Sequence, residues 1–239
     1  MNNPTLLKNL RNIPDFPIPG VQFKDVTTLF KNAKCMKIML NELYEIYKDK
    51  GITKVVGIES RGFVLGAALA VKLGAGFVMC RKPGKLPAET LQESYMKEYG
   101  KDTIEIHKDA IDEKDVVLIH DDLLATGGSM KAAYNLVKKF NPAHVYINFI
   151  IELTGEGLNG REVFDEGIEI STLTCLKIAF LTGTCSTLYC PLFISNSKRH
   201  DDRRKRKAGR LFERHRPESA GQSGMLPIFE RRGGNHLCG

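Results

Sequence analysis

Residues 116–130 read VVLIHDDLLATGGSM, and the architecture of the whole chain follows from that stretch. Val116, Val117, Leu118 and Ile119 form the short continuous apolar run of a strand buried on both faces. The adjacent acids Asp121 and Asp122 then stand where a parallel strand is expected to end. A turn of small residues follows, Ala125, Thr126, Gly127, Gly128 and Ser129, and after it a helix-like pattern covers residues 130–140. In open α/β sheets, ligands gather at the carboxyl ends of strands, and a helix N-terminus located there binds anions. Gly127 and Gly128 let backbone N–H groups come close to a phosphate, while Thr126 and Ser129 add hydroxyl donors. The two aspartates would repel a phosphate alone. They suit a sugar whose hydroxyls need acceptors, or a Mg²⁺ that accompanies a polyphosphate. Acids and cradle together point to a phosphorylated ribose, although either dipeptide by itself is compatible with an ordinary βα connection. A Walker loop is excluded, because no G-x-x-x-x-G-K-[ST] occurs in the chain.

The flanking sequence repeats the same arrangement. Residues 54–58 (KVVGI) read as a buried strand, followed by a tight polar turn and an Ala- and Leu-rich helix over 63–73 that Gly74 closes. In that turn Ser60, Arg61 and Gly62 suit a diphosphate, Arg61 by its charge and Gly62 by close backbone approach; a surface ion pair is the other reading of Arg61. Gly57 lies one residue too far from Ser60 for a serine-hydrolase elbow. Residues 77–80 give another strand, ending in Arg81, Lys82 and Lys85 on a Pro/Gly-rich segment expected to be a mobile, anion-attracting loop. The next strand is read at 103–107, and a connection of about twenty residues has the length of an active-site lid. A helix is predicted over 33–49, with apolar residues at Met36, Met39, Leu40, Leu43, Ile46 and Tyr47, and a short one over 5–12. Three prolines make residues 13–20 an extended connector without regular structure, and residues 21–26 are strand-like. Further strands are expected at 143–151 and 169–174. Residues 155–160 form a G-x-G-x-x-G, but no convincing helix follows and no acid stands ~20 residues on, so a dinucleotide site is rejected. The sum is an α/β chain with a doubly wound, mainly parallel sheet flanked by helices.

Composition narrows the function. Hydrophobic residues make up 42% of the chain, no run approaches the ~18 apolar residues of a membrane span, and the start MNNPTLLKNLRNIPDFP lacks a signal peptide's apolar centre. The formal charge is +7, yet residues 1–178 hold 23 Lys+Arg against 23 Asp+Glu, which leaves 12 basic and 5 acidic residues for the remaining 61. The body therefore offers no electrostatic reason to expect nucleic acid; only the tail, with RRKRK at 203–207, could supply one. The six cysteines show no C-x-x-C and no His at ligand spacing, so reduced thiols, no disulfide and no zinc are expected.

The array at 116–130 resembles the phosphoribosyl-diphosphate signature of the type I phosphoribosyltransferases. Two other stretches are similar to adenine phosphoribosyltransferases: PDFPIPGVQFKD (14–25) resembles their N-terminal hood, and RKPGKLP (81–87) with SYMKEYGK (94–101) their flexible catalytic loop. The ELT and GRE around residues 152–162 resemble a connection near the end of that family. The resemblance implies that fold, with a hood over about 1–32 and a lid over about 82–102, and a phosphoribosyltransferase domain over 1–178. It implies transfer of a phosphoribosyl group to adenine, giving AMP and diphosphate, with Mg²⁺, in a cytoplasmic homodimer. Carried onto this chain, Ala125, Thr126, Gly127, Gly128 and Ser129 take the 5′-phosphate, and Asp121 and Asp122 the ribose hydroxyls, directly or through water and Mg²⁺. Ser60, Arg61, Lys82 and Lys85 take the diphosphate; Gln22, Phe23 and Lys24 lie at the base. Glu98 handles the adenine proton and Tyr99 closes the lid. Two departures stand out: His120 occupies a position that is usually apolar, and is expected to be packed, and Lys24 stands where arginine is frequent. The resemblance stops at about Leu176. Residues 179–239 are expected to be disordered or an aberrant extension, with a genuine basic tail as the other reading. Two rival functions remain: transfer to another base such as xanthine, guanine or orotate, and a regulator of this fold that binds nucleic acid.

Overall fold

The computed structural model describes residues 3–16, 19, 21–97, 100–155 and 157–178. These belong to one compact unit, Met1–Leu181. The expectations for residues 179–239, and those for Glu98 and Tyr99, lie outside the described residues.

In chain order the elements are α1 (Pro4–Asn9), β1 (Arg11–Pro14), β2 (Gln22–Asp25), α2 (Thr27–Phe30), α3 (Ala33–Tyr47), β3 (Lys54–Ile58) and α4 (Arg61–Leu73). They continue with β4 (Gly76–Cys80), β5 (Thr90–Lys97), β6 (Gly100–His107), β7 (Val116–Leu124), α5 (Gly128–Lys138), β8 (His144–Thr154) and β9 (Ile170–Lys177). Five strands form one parallel sheet in the order β4-β3-β7-β8-β9. The 116–130 stretch therefore supplies the central strand. Its alternation sorts the two faces. Leu118 joins Val55, Leu65 and Leu69 under α3 and α4, while Val117 and Ile119 join Val56, Met130 and Leu136 under α5. Val117, Leu118 and Ile119 are fully buried, each stabilising by roughly 1.5–3 kcal/mol relative to exposure.

The helices form where capping and spacing agree. The Asn32 side chain accepts from the N–H groups of Lys34 and Cys35 to start α3, which buries Cys35, Met39, Leu43 and Tyr47 at i, i+4 intervals. Gly74, at φ 71°, ends α4 in the left-handed conformation.

Four local readings change. Residues 103–107 are a strand, but β6 is not in the parallel sheet: it pairs antiparallel with β5, from Thr90↔His107 to Lys97↔Gly100. The connection expected as an open lid loop thus contains a hairpin over its second half. Residues 11–14 pair with β2 despite the prolines that follow, because Pro14 ends the strand. The four-residue helix α2 follows β2 and buries Leu29. Finally, β7 does not stop at the acids but runs through Asp121 and Asp122 to Leu124, paired to β8 as far as Leu124↔Glu152.

Candidate active site at the carboxyl edge of the sheet

β3 is followed in sequence by its neighbour β4 on one side, whereas β7 lies on its other side. This reversal opens a crevice at the carboxyl ends of β3 and β7, where open α/β sheets bind ligands. The turn after β3 and the turn after β7 both border it. Their backbones meet closely: a Cβ on Gly62 would lie 2.6 Å from the His120 carbonyl oxygen. Gly62 is thus needed so that α4 can start against β7, a different reason from the approach of a phosphate.

The charges at this junction are arranged in pairs. Arg61 Nε lies 3.0 Å from Asp122 Oδ2, with Asp122 almost wholly buried and Arg61 partly exposed. That contact is an ion pair without hydrogen-bond alignment, for Asp122 Oδ2 has no hydrogen-bond partner. The Asp122 N–H donates to Asp121 Oδ1 at 2.9 Å. Burial raises Asp121 well above the usual carboxylate range, and the Asp122 charge beside it adds to the rise. Burial also raises Asp122, against the pull of Arg61. Asp121 therefore holds a proton more readily than its neighbour, as expected of two coupled carboxyls side by side.

The turn before α5 is built around glycine. Gly127 adopts φ 79° as the residue before α5, which no acidic residue occupies in its first turn. The first N–H groups of a helix have no intrahelical acceptor, so the α5 terminus is open to an anion. A Cβ on Gly127 would lie 2.5 Å from the Gly160 carbonyl oxygen, and one on Gly160 would lie 2.6 Å from that of Ala125. The last glycine of the rejected G-x-G-x-x-G is there to let one loop close under another. Arg161 fastens that loop, its Nε and Nη2 donating to Glu152 at 2.6 and 2.8 Å.

The basic segment is anchored by a residue to which the sequence reading attached no role. Glu59 accepts from Lys85 Nζ at 2.8 Å, from the Lys82 backbone N–H at 3.0 Å, and from Arg81 Nε and Nη2 at 3.2 and 3.3 Å. Lys85 first, then the Lys82 N–H and Arg81, hold the Glu59 carboxyl down at about 2 against the opposing effect of burial. Lys82 Nζ lies 3.9 Å from Asp102. Ser60, exposed at the head of α4, makes no side-chain capping bond. Buried Cys80 is pushed up to about 12 by burial, with the charges of Asp121, Glu59 and Glu105 adding, so its thiol stays protonated.

The hairpin β5–β6 leans on α5. A Cβ on Gly128 would come within 3.9 Å of the Tyr95 ring and 4.0 Å of the Met96 carbonyl oxygen. Lys139 Nζ donates to the Gln92 carbonyl at 2.7 Å and pairs with Glu93 at 2.6 Å. The hood residues are tied to one another: Gln22 and Lys24 both bond Asn12, at 2.7 and 2.9 Å, and Phe23 meets Phe16 edge to face at 5.1 Å. His120 is packed, as expected. It is fully buried, its Nδ1 2.8 Å from Asn148 Oδ1, and burial lowers it to about 4 despite that bond. Asn148 passes the chain on to Ser171 Oγ at 2.9 Å, and Tyr47 meets the same hydroxyl at 2.5 Å. Periodicity marks Asn148 and Ser171 only as strand residues, so this chain was not legible in the sequence.

Comparison with known proteins gives one family. Residues 25–172 match the phosphoribosyl transferase domain. Adenine phosphoribosyltransferase of Phocaeicola vulgatus is 66% identical over 176 residues, covering 74% of this chain and 100% of that protein. The Bacteroides thetaiotaomicron protein of the same name is 62% identical over 176 residues, covering 74% and 99%. The crystal structure of adenine phosphoribosyltransferase from Rhodothermus marinus aligns with a TM-score of 0.66 at 49% identity, over 72% of this chain and 97% of that one. The Giardia lamblia enzyme, solved with 9-deazaadenine, aligns with a TM-score of 0.68 at 39% identity, over 74% and 98%.

Proposed function

This chain belongs to the phosphoribosyl transferase family, among the adenine phosphoribosyltransferases, and on that premise we propose how its residues divide the work. The enzyme serves purine salvage: it transfers the 5-phosphoribosyl group from 5-phosphoribosyl 1-diphosphate to adenine, giving AMP and diphosphate. One observation carries the assignment of roles: the turns after β3 and β7 share one switch point, joined by the Arg61–Asp122 pair.

The 5′-phosphate rests on the backbone N–H groups of Ala125, Thr126, Gly127, Gly128 and Ser129, with the hydroxyls of Thr126 and Ser129 as further donors. Asp121 and Asp122 take the ribose 2′- and 3′-hydroxyls. Their carboxylate oxygens accept from those hydroxyls. Ser60, Arg61, Lys82 and Lys85 receive the diphosphate. As the bond from C1 to the diphosphate oxygen breaks, its electron pair leaves with that oxygen and C1 becomes cation-like, so cations at the leaving group lower the barrier. A ring nitrogen of adenine forms the new bond to C1 and loses its proton to Glu98, with Tyr99 closing the lid. Gln22, Phe23 and Lys24 hold the base, Phe23 against its face.

Among the described residues no group of three His, Cys, Asp or Glu is arranged to hold a metal by itself. Asp121 and Asp122 nevertheless fit Mg²⁺, which is commonly held by one or two carboxylates with substrate oxygens completing its shell; the unbonded Asp122 Oδ2 supports this. Bound there, the ion supplies charge neutralisation to the departing diphosphate. A homodimer is the expected assembly, supported by exposed Val64 and Val71 on α4 and Met79 on the edge strand β4. The free, buried thiols of Cys35 and Cys80 suit a reducing cytoplasm. No helix among the described residues is long and apolar enough to cross a membrane. The domain is residues 1–178; the basic extension 179–239 takes no part in the chemistry, and its charge is the one feature that could bring nucleic acid.

The test is AMP formation by the full chain from adenine, 5-phosphoribosyl 1-diphosphate and Mg²⁺, with hypoxanthine, guanine, xanthine and orotate run alongside. Turnover of adenine alone is expected. Binding of the phosphoribosyl donor without conversion of any base would overturn the reading in favour of a regulator.

A further inference from the structure

We propose that Glu59 is a positioning residue that acts as a resident counter-anion: it holds Lys85 while the site is empty and yields it to the incoming diphosphate. This rests on the reading that Lys85 contacts the diphosphate. Glu59 is the first residue after β3, immediately before the Ser60–Arg61 turn, and both its oxygens are engaged by the basic segment that follows β4.

The partners of Glu59 are not equivalent. Arg81 is fixed. Its backbone N–H and carbonyl bridge to Glu105 at 2.9 and 2.8 Å, its Nη1 donates to the Lys85 carbonyl at 3.2 Å, and its guanidinium reaches both carboxylate oxygens. The Lys85 ammonium meets Glu59 Oε1 through Nζ at 2.8 Å, and its side chain is about half exposed. It follows Gly84, which sits at φ 78° with open space where a Cβ would lie. The Lys85 ammonium can therefore swing on a flexible stem while Arg81 keeps Glu59 in place.

The electrostatics support an exchange rather than a permanent pair. Three cations within five residues repel one another unless an anion lies among them. Glu59 is that anion, and it stays ionised because its carboxyl is held down at about 2. Diphosphate carries more charge than one carboxylate and competes for the same ammonium. Glu59 thereby weakens the hold on diphosphate, which favours product release, and returns Lys85 to a defined position for the next donor.

The experiment is calorimetric titration of the full chain with inorganic diphosphate at fixed Mg²⁺, comparing wild type, Glu59→Gln, Lys85→Gln and the double variant. Glu59→Gln is expected to bind diphosphate about tenfold more tightly, Lys85→Gln more weakly, and the gain is expected to vanish in the double variant. A merely structural Glu59 would not produce tighter binding. Unchanged or weaker binding by folded Glu59→Gln, with Lys85→Gln still impaired, would overturn the exchange alone. Wild-type affinity in Lys85→Gln would instead remove the premise that Lys85 meets the diphosphate, and the proposal with it. Should Glu59→Gln not fold, a crystal structure of the wild type with diphosphate decides. Lys85 Nζ is expected beyond 4 Å from Glu59, and retention of the pair beside bound diphosphate would refute the proposal.

Discussion

His120 shows what a single buried residue of the central strand does. Buried and neutral, it takes up a proton only near pH 4, whereas the unfolded chain protonates it near 6.5. Between those values the unfolded state binds more protons, so this contribution is complete above pH 6.5 and is lost as pH falls towards 4, by about 3 kcal/mol in all. His120→Leu is expected to flatten that part of the stability–pH curve in urea titrations. At pH 8 it is expected to be less stable than wild type by about 1–3 kcal/mol, because Asn148 Oδ1 loses its partner. An unchanged pH slope would mean that the imidazole is hydrated in the native state. Gly127 is constrained in another way. Its φ of 79° and the Gly160 carbonyl oxygen 2.5 Å from a Cβ leave no room for a side chain. Gly127→Ala is expected to cost about 1–3 kcal/mol of stability and to raise KM for the phosphoribosyl donor; a wild-type KM would place the 5′-phosphate elsewhere. The sequence already marked Gly127 as special. The nature of its neighbour, a carbonyl from a loop 33 residues further on, was invisible to local reading.

Among the elements, the hairpin after β4 was the least legible. Residues 91–96 alternate, with Leu91, Glu93 and Tyr95 turned inward and Gln92, Ser94 and Met96 outward. Two of the inward three are polar or amphipathic, so the period-2 pattern carries little apolar contrast and reads as loop. In the fold Leu91 and Tyr95 pack on the α5 side of the core with Ile104 and Ile106. Ile106, fully buried, anchors the pair. Ile106→Ala is expected to lower stability by about 2–5 kcal/mol, against less than about 0.5 kcal/mol for exposed Met96→Ala. Denaturant unfolding monitored by circular dichroism measures both, and equal small losses would show that the hairpin is not docked. The central strand was read correctly in place but not in length. Its adjacent acids mark an end in the sequence, yet pairing with β8 continues to Leu124 because Asp122 is ion-paired to Arg61 and can remain buried within a strand.

At the scale of the molecule, the parallel sheet closes over two cores and leaves α4 and β4 with exposed apolar residues, Val71 most of all at 82%. Sedimentation is expected to show a dimer for the full chain, and Val71→Asp with Met79→Asp to shift it towards monomer with the far-ultraviolet spectrum unchanged. A wild-type monomer with full activity would refute the assembly. Residues 1–178 alone are expected to match the activity of the full chain; a markedly faster short form would mean that the extension impedes the site. By itself the sequence determined the α/β class, the places of the strands that build the parallel sheet, though not that 103–107 stays outside it, and the family, because these depend on local periodicity and on glycines and charges at short spacing. Only the tertiary structure decided which charges pair, Arg61 with Asp122 and Glu59 with Arg81 and Lys85, and that Gly62 and Gly127 serve backbone-to-backbone contact. Those outcomes depend on elements far apart in the chain meeting at one sheet edge, and no local pattern encodes the distance between two strand ends.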